Sequence, residues 1–401
     1  MIYLDVTSSC KSEQNTGMQR MTRRIFAELE QRVEVTPICW NRAGNVYQLL
    51  GVTERKLLTR PFEIRSRAVA RPELRGQNPV AEFLRLMALP RFAIANELTS
   101  NDVFLVPDVF HDVRRKFLPT VLPRTPARTV AIFLDATSLR LPWLYANRGP
   151  RYRAYIESLA QCDLVICISE EAHNDLRDFW KRFGCAPTAT CVEPLPGEFD
   201  NVARDTGAGS SRNLIVYVSS LDPRKNHLVL LRAADKLWSE GLAFELQLIG
   251  RSTGPFLNKV VVEVWKMRLR GRPIRWLRHV DDATLLRAYR DCRFTAYPSL
   301  MEGFGLPIAE SLWHGKPCIC GGNGALGEIA RGGGCLIVDQ TSEEALAGGM
   351  KRLLTDQECY RRLRDAARAR TFRTWRDYID NWLVHLHSVG PGKSVAVTAS
   401  N

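Results

Sequence analysis

Short apolar runs alternate with helical stretches along almost the whole chain, and no other feature restricts the fold as strongly. IYLDV, VEVTPICW, DVFLVP, TVAIFLD and DLVICIS read as strands in the first half, with MQRMTRRIFAELE among the helices between them. NLIVYVSS, FELQLIG, IRWLRHV, FTAYPS, PCICGG and GCLIVD read the same way in the second half, separated by helices that include DDATLLRAYRDC and SEEALAGGMKRLL. Strands interleaved with helices in this way predict parallel sheets wrapped by helices, an α/β fold. Between the halves, EFDNVARDTGAGSSRN has the composition of a linker and no apolar period, so two Rossmann-like domains joined near residues 200–212 are expected. The final stretch, VGPGKSVAVTASN, reads as a disordered tail.

Composition excludes some classes. With 45% hydrophobic and 25% charged residues over 401 positions, the chain is neither disordered nor fibrous and is long enough for two domains. The net charge of +13 favours anionic partners: a nucleotide sugar, an acidic membrane surface or nucleic acid. Charge alone does not choose among them. MIYLDVTSSC carries Asp5 where a signal peptide would need an apolar core, and no run of about 18 apolar residues occurs. A cytoplasmic protein without a membrane span is expected. Eleven cysteines lack any CxxC pair, and Cys167, Cys318, Cys320 and Cys335 sit in apolar strand-like runs as small hydrophobes. Reduced thiols, with neither disulfides nor zinc, are expected. Residues 51–91 mix Arg60, Arg65, Arg67, Arg71 and Arg75 with Leu57, Leu58, Phe62, Phe83, Leu84 and Met87. They read either as an insertion touching acceptor or membrane or as a solvated helical pair.

The stretch SLMEGFGLPIAESLWHG places Glu302 and Glu310 around a Gly-Phe-Gly turn, with Pro307 as a residue suited to the first helical position. Glu302 is expected in the loop and Glu310 in the first turn. Two carboxylates would then flank a helix N-terminus, where unsatisfied backbone N–H groups favour an anion and the acids can bind hydroxyls. The plainer reading is that Glu310 complements the helix dipole and Glu302 is solvated. Ligands of open α/β sheets bind beyond the carboxyl ends of strands. After NLIVYVSS comes LDPRKNH, which puts Arg224 and Lys225 where they can clamp a diphosphate. No Asp-x-Asp spacing for a catalytic cation occurs.

Taken together, SSLDPRKNH, HVDDATLLRAYRDC, EGFGLPIAE with its E-x7-E spacing, GGNGALGEIA and a late FRTW resemble the retaining glycosyltransferases of family 4, which have the GT-B fold. The match is dense from about Asn213 to Trp375. It is sparser earlier, in LDVTSSCKSEQNTGMQR and CDLVICISEEAHNDL. The resemblance implies two Rossmann-like domains facing across a cleft: an acceptor-side domain over 1–205, a nucleotide-sugar domain over 206–375, a helix over 376–388 returning to the first domain, and the tail over 389–401. It makes Glu310 the partner of the ribose hydroxyls and Glu302 a donor-sugar contact near the reacting carbon. Arg224 and Lys225 would hold the diphosphate. Gly303, Phe304, Gly305 and Leu306 would offer backbone groups to the sugar or phosphate, Gly17 would let its loop approach the donor, and His279 and Val280 in RHVDD would lie at the base. Many relatives carry His-Asp after a strand of the first domain, whereas here Leu134 precedes Asp135, so the resemblance leaves Asp135 to orient the acceptor; His111 and Asp112 lie nearby in sequence.

The implied activity is retaining transfer of a hexose, with mannose from GDP-mannose ahead of rhamnose. The acceptor would be a glycan or lipid-linked, in surface polysaccharide synthesis. No metal or other cofactor is implied and no nucleic-acid partner is expected, while the basic charge fits peripheral contact with an anionic membrane. Another GT-B enzyme, such as a nucleotide-sugar epimerase, and a non-catalytic basic membrane scaffold are the alternatives.

Overall fold

The computed structural model describes residues 1–12, 16–59, 79–110, 112–145, 148–199, 204, 212–251, 257–278 and 280–388. His111, His279, Arg60 to Arg75 and the tail over 389–401 lie outside the described residues. The chain divides into two units, Met1–Pro194 with Trp375–Asn401, and Leu195–Thr374.

The first unit is built on eight strands: β1 (Ile2–Asp5), β2 (Val35–Asn41), β3 (Val46–Leu49), β4 (Arg91–Phe92), β5 (Val103–Val106), β6 (Arg128–Phe133), β7 (Leu164–Cys167) and β8 (Ala189–Val192). Their order in the sheet is β4-β3-β2-β1-β5-β6-β7-β8. Pairing is parallel except at one edge, where β2–β3 and β3–β4 run antiparallel. The central strands are buried on both faces, which is why Leu105, Ile132 and Ile166 carry continuous rather than alternating apolar character. The Gly17–Glu30 helix starts at a capping box in which Thr16 Oγ1 accepts from the Gln19 N–H and Gln19 Oε1 accepts from the Thr16 N–H. The Trp375–Ser388 helix packs on it, burying Tyr378 and Trp382 completely, and Asp380 pairs with Arg32 at 2.7 Å.

The second unit holds six parallel strands: β9 (Leu214–Val218), β10 (Glu245–Ile249), β11 (Ile274–Leu277), β12 (Phe294–Tyr297), β13 (Cys318–Cys320) and β14 (Cys335–Ile337). The order is β11-β10-β9-β12-β13-β14. The chain thus builds outward from β9 to β11, then returns to lay β12 on the other side of β9. This reversal creates a switch point between β9 and β12, the place where doubly wound sheets bind ligands. The first unit has its own reversal between β1 and β5.

The boundary between units falls earlier than the linker composition indicates. Phe199 is buried against Leu214, Val216, Leu285 and Tyr289, so an aromatic anchor draws the residues before the linker into the second unit. The edge strands β3, β4 and β8 were not expected either. All eleven cysteines are free thiols. Among the described residues, no helix is long and apolar enough to cross a membrane.

Candidate active site in the second unit

The loop after β9 is fixed before any ligand is considered. Asp222 accepts from the Arg224 N–H at 3.1 Å, Pro223 opens the single 3-10 turn Pro223–Lys225, and Asn226 takes a left-handed conformation at φ 56. Asn tolerates that region better than most residues because its short amide can bond locally; here the Asn226 amide donates to the Gln340 carbonyl at 2.6 Å. The Tyr217 hydroxyl donates to the Lys225 carbonyl at 2.5 Å, and the Arg224 carbonyl accepts the Leu300 N–H at 2.8 Å. The last bond ties the β9 loop to the β12 loop across the switch point.

On this frame Arg224, Lys225 and Glu302 converge. Arg224 Nη1 lies 2.6 Å from Glu302 Oε2, and Lys225 Nζ lies 2.5 Å from Glu302 Oε1. Oε1 also accepts from Ser299 Oγ at 2.5 Å and from the Tyr297 hydroxyl at 3.1 Å, while Lys225 donates to Tyr297 at 2.6 Å. Both oxygens of the carboxylate are therefore engaged. Burial opposes the charge on Glu302, but Arg224 and Lys225 more than offset it and hold the carboxyl at about 2. Lys225 is treated differently. Burial and the Arg224 charge lower it to about 8 against the pull of Glu302. The asymmetry has a simple cause, since one anion shared by two cations is doubly stabilised while each cation also meets a like charge. Asp222 Oδ1 also lies 3.8 Å from Arg224 Nε, so with all four groups ionised two cations face two carboxylates, almost fully desolvated at Lys225 and Glu302. His227, buried beside Lys225, is lowered to about 3 by burial and by that ammonium, so it stays neutral at ordinary pH.

The helix after β12 begins four residues past Glu302. Leu306–Trp313 begins behind Gly305 at φ 104, a conformation that only glycine adopts without strain, with Pro307 in the first turn. Pro307 has no N–H to offer, and those of Ile308 and Ala309 donate to the Gly305 carbonyl at 2.9 Å and 3.2 Å. Glu310 is not in the first turn as expected. It is the fifth helical residue, buried to 5% exposure, and its Oε2 accepts from the Tyr289 hydroxyl at 2.6 Å. The helix starts at Leu306, so Pro307 is its second residue and not its first as the sequence suggests. Val280 is half-buried against the Phe199 cluster. Gln340 and Asn323 complete the surroundings, with Gln340 Nε2 donating to Asn323 at 2.7 Å and Asn323 donating to the Leu300 carbonyl at 3.0 Å.

Sequence reasoning found the three charges and missed Tyr297, Ser299, Tyr289, Asn323 and Gln340. A signal for two of them existed: Tyr297 and Ser299 alternate along FTAYPS on the side of Glu302. Asp135 and Gly17 belong to the first unit. The Asp135 carboxylate accepts the Thr137 N–H at 2.8 Å and its carbonyl accepts from Tyr152, while Gly17 is the first residue of its helix and needs no left-handed φ. Asp112 pairs with Arg114 at 3.0 Å, which holds its carboxyl low despite burial. The switch point of the first unit is filled by a network that the sequence did not reveal: Arg114 Nη1 lies 2.6 Å from Asp5, which also accepts from Tyr47 at 2.8 Å and Thr7 at 2.5 Å.

Residues 198–370 match the model of the family described as glycosyl transferases group 1. The chain is 22% identical over 339 residues to the serotype-specific mannosyltransferase WbdA of Escherichia coli, covering 79% of this chain and 38% of that protein. It is 26% identical over 246 residues to the O-antigen chain mannosyltransferase B of Escherichia coli, covering 59% and 63%. The chain thus spans well under half the length of the first of these relatives. A structure described as trehalose-6-phosphate from E. coli bound with UDP-2-fluoro glucose superposes over 97% of this chain and 99% of that one, at 15% identity and a TM-score of 0.66. The two units therefore have the GT-B fold, and residues 198–370 are similar to the group 1 glycosyl transferases.

Proposed function

We propose that the chain is a retaining glycosyltransferase that moves a hexose from a nucleotide-diphosphate sugar to a glycan or lipid-linked acceptor. The observation that carries this reading is the convergence of Arg224 and Lys225 on Glu302 at the β9/β12 switch point, close in the chain to a helix start. A departing nucleoside diphosphate gains negative charge as the bond to the anomeric carbon breaks. Preorganised cations at that point stabilise it without having to reorganise. The acceptor oxygen forms the new bond on the face that the diphosphate vacates, and the acceptor proton passes to the leaving phosphate oxygen. No protein nucleophile is required. Mannose from GDP-mannose is the donor we favour, supported by the two relatives named as mannosyltransferases.

Thermal-shift titration of the whole chain with GDP, UDP, GDP-mannose and UDP-glucose tests the proposal. At about 100 times the dissociation constant a ligand adds roughly 2.7 kcal/mol to the folded state. A shift with GDP and GDP-mannose above the uridine pair supports the mannose donor. A larger shift with UDP replaces it, and no shift with any of the four removes the donor site.

A further inference from the structure

Tyr297 is the last residue of β12 and is 2% exposed. Its ring meets that of Tyr217 on β9 edge-on, with centroids 5.7 Å apart, so the two strands at the switch point fix where its hydroxyl lies. That hydroxyl stands between the members of the ion pair, 2.6 Å from Lys225 Nζ and 3.1 Å from Glu302 Oε1. An ammonium can only donate and a carboxylate can only accept, which sets the polarity: the phenol oxygen accepts from Lys225 and its proton goes to Glu302. Burial and the Glu302 charge push the phenol pKa well up, so the hydroxyl keeps that proton across the neutral range. An ammonium has three N–H groups. Among the described residues two of those on Lys225 are engaged, one by Tyr297 and one by Glu302 at 2.5 Å.

We infer that Tyr297 is a positioning residue acting through Lys225: its hydroxyl holds the side chain as an oriented ammonium and leaves one N–H uncommitted for a phosphate oxygen of the donor. The identity of that anion rests on the donor reading above, whereas the hold on Lys225 rests on the cluster alone. The surroundings of Lys225 are divided. Burial and Arg224 act against its charge, while Glu302 and Asp222 act for it. His227 lies beside it as a neutral ring, and the Tyr217 hydroxyl serves the Lys225 carbonyl and not the ammonium. A hydrogen bond to the charged form of a group favours that form, so the Tyr297 oxygen adds to the second side of this balance. It does so without adding negative charge. A further carboxylate in its place would hold Lys225 more strongly, but it would also repel a diphosphate. A phenol supplies the acceptor and leaves the attraction for an anion undiminished.

Tyr297→Phe tests it, because the substitution keeps the ring, its edge contact with Tyr217 and its face 5.1 Å from Lys225 Nζ, and removes only the hydroxyl. Carbon-13 NMR of the ligand-free whole chain labelled at lysine Cε follows the titration directly, with the Lys225 signal identified by its loss in Lys225→Arg. The midpoint should drop by about one pH unit in Tyr297→Phe, a roughly tenfold loss of proton affinity and the low end for a hydrogen bond to a charged group. Tyr217→Phe removes a hydroxyl from the carbonyl of the same lysine and should leave the midpoint in place. Calorimetry with GDP supplies a second readout. Relative to the parent, Tyr297→Phe should lose little affinity on the acid side of both midpoints and about tenfold on the alkaline side. An unchanged or raised midpoint overturns the inference, as does an equal drop in Tyr217→Phe or a loss of GDP affinity that is the same at every pH. If GDP does not bind the parent at all, the donor reading fails, while a midpoint that drops only in Tyr297→Phe still upholds the hold on Lys225.

Discussion

The Lys225 ammonium sits 2.5 Å from the Glu302 carboxylate, and the two titrate toward opposite ends of the pH range. Glu302 is held at about 2 and Lys225 at about 8, so the pair is ionised together across the neutral range. Glu302 has a folded-state pKa below its ordinary value of 4.5, so its contribution to stability is complete above that value and is lost as pH falls toward 2. Lys225 also lies below its ordinary value of 10.5, but for a base the sign reverses: its charge costs stability below about 8, and stability rises as the pH climbs from there toward 10.5.

The first prediction is an alkaline limb in catalysis. If the charged form of Lys225 holds the diphosphate, kcat/KM, which reports the free enzyme, should fall above about 8. Bound diphosphate adds negative charge, so the corresponding limb in kcat should move to higher pH. Lys225→Arg should remove the limb from kcat/KM within the accessible range, because a guanidinium does not titrate there. A profile that is unchanged in that variant would assign the limb to another group.

The second prediction separates the two effects of Glu302. Glu302→Gln leaves Lys225 buried without its paired carboxylate, and breaking a buried pair destabilises by about 3–5 kcal/mol. The same change makes the cluster more positive. Denaturation should therefore show a less stable protein, while GDP raises its melting temperature by more than it raises that of the parent. Turnover should fall. A variant that is as stable as the parent, or one that GDP stabilises less, contradicts this account of the cluster.

The parts of the molecule that were legible in the sequence share one property: their signal is local. The six strands of the second unit are apolar runs bounded by turn residues, and Arg224, Lys225 and Glu302 each follow such a run. Their meeting is not local. Lys225 and Glu302 are 77 residues apart and become neighbours only because β12 returns to the far side of β9. The partners Asn226 and Gln340 are 114 apart. Short elements were lost for the opposite reason, since β4 has two residues and no period to detect. Leu58 had been grouped with Phe62 and the arginines as a membrane contact, yet it is 2% exposed. One apolar residue in a charged stretch does not reveal which way it turns. The boundary between units depended on the burial of the single ring of Phe199.

A third prediction concerns charge without metal. Arg224→Ala and Lys225→Ala should each slow transfer by about tenfold to a thousandfold, the range for removing one preorganised group at a developing anion. If these cations carry that role alone, activity should survive EDTA. Activity that is lost in chelator and restored by manganese or magnesium would show that a divalent ion shares it.

A fourth prediction follows from the bond between Tyr289 and Glu310. If Glu310 binds the ribose hydroxyls, Glu310→Gln should weaken nucleotide affinity by about 1.5–3 kcal/mol, the contribution of hydrogen bonds to a charged group. Tyr289 only holds Glu310 in place, donating at 2.6 Å, so Tyr289→Phe should weaken binding by less and leave kcat near the parent value. Calorimetry with GDP and steady-state kinetics measure both. If Tyr289→Phe loses as much affinity as Glu310→Gln, the hydroxyl itself contacts the nucleotide.

The last prediction concerns how the site loop is supported from behind. Gly250 follows β10 at φ 147, and a Cβ placed there would lie 2.0 Å from the Ser219 carbonyl oxygen and 3.0 Å from the Ser220 nitrogen. Ser219 and Ser220 begin the loop that carries Arg224 and Lys225, and the Ser219 N–H is bonded to the Ile249 carbonyl at 2.8 Å. The contact is between backbones, so no side chain can rotate away to relieve it. Gly250→Ala should therefore destabilise the second unit by about 1–3 kcal/mol, as overpacking does, and should also displace the loop. A shift of even about 1 Å in catalytic groups can slow a reaction roughly a hundredfold. The expected result is a lower melting temperature together with a loss of kcat/KM larger than that of a control substitution at exposed Gly271, whose added Cβ meets nothing within 4 Å although its φ of +74 imposes backbone strain. If Gly250→Ala melts lower but transfers sugar at the parent rate, the loop is positioned from its own side of the switch point and not by β10.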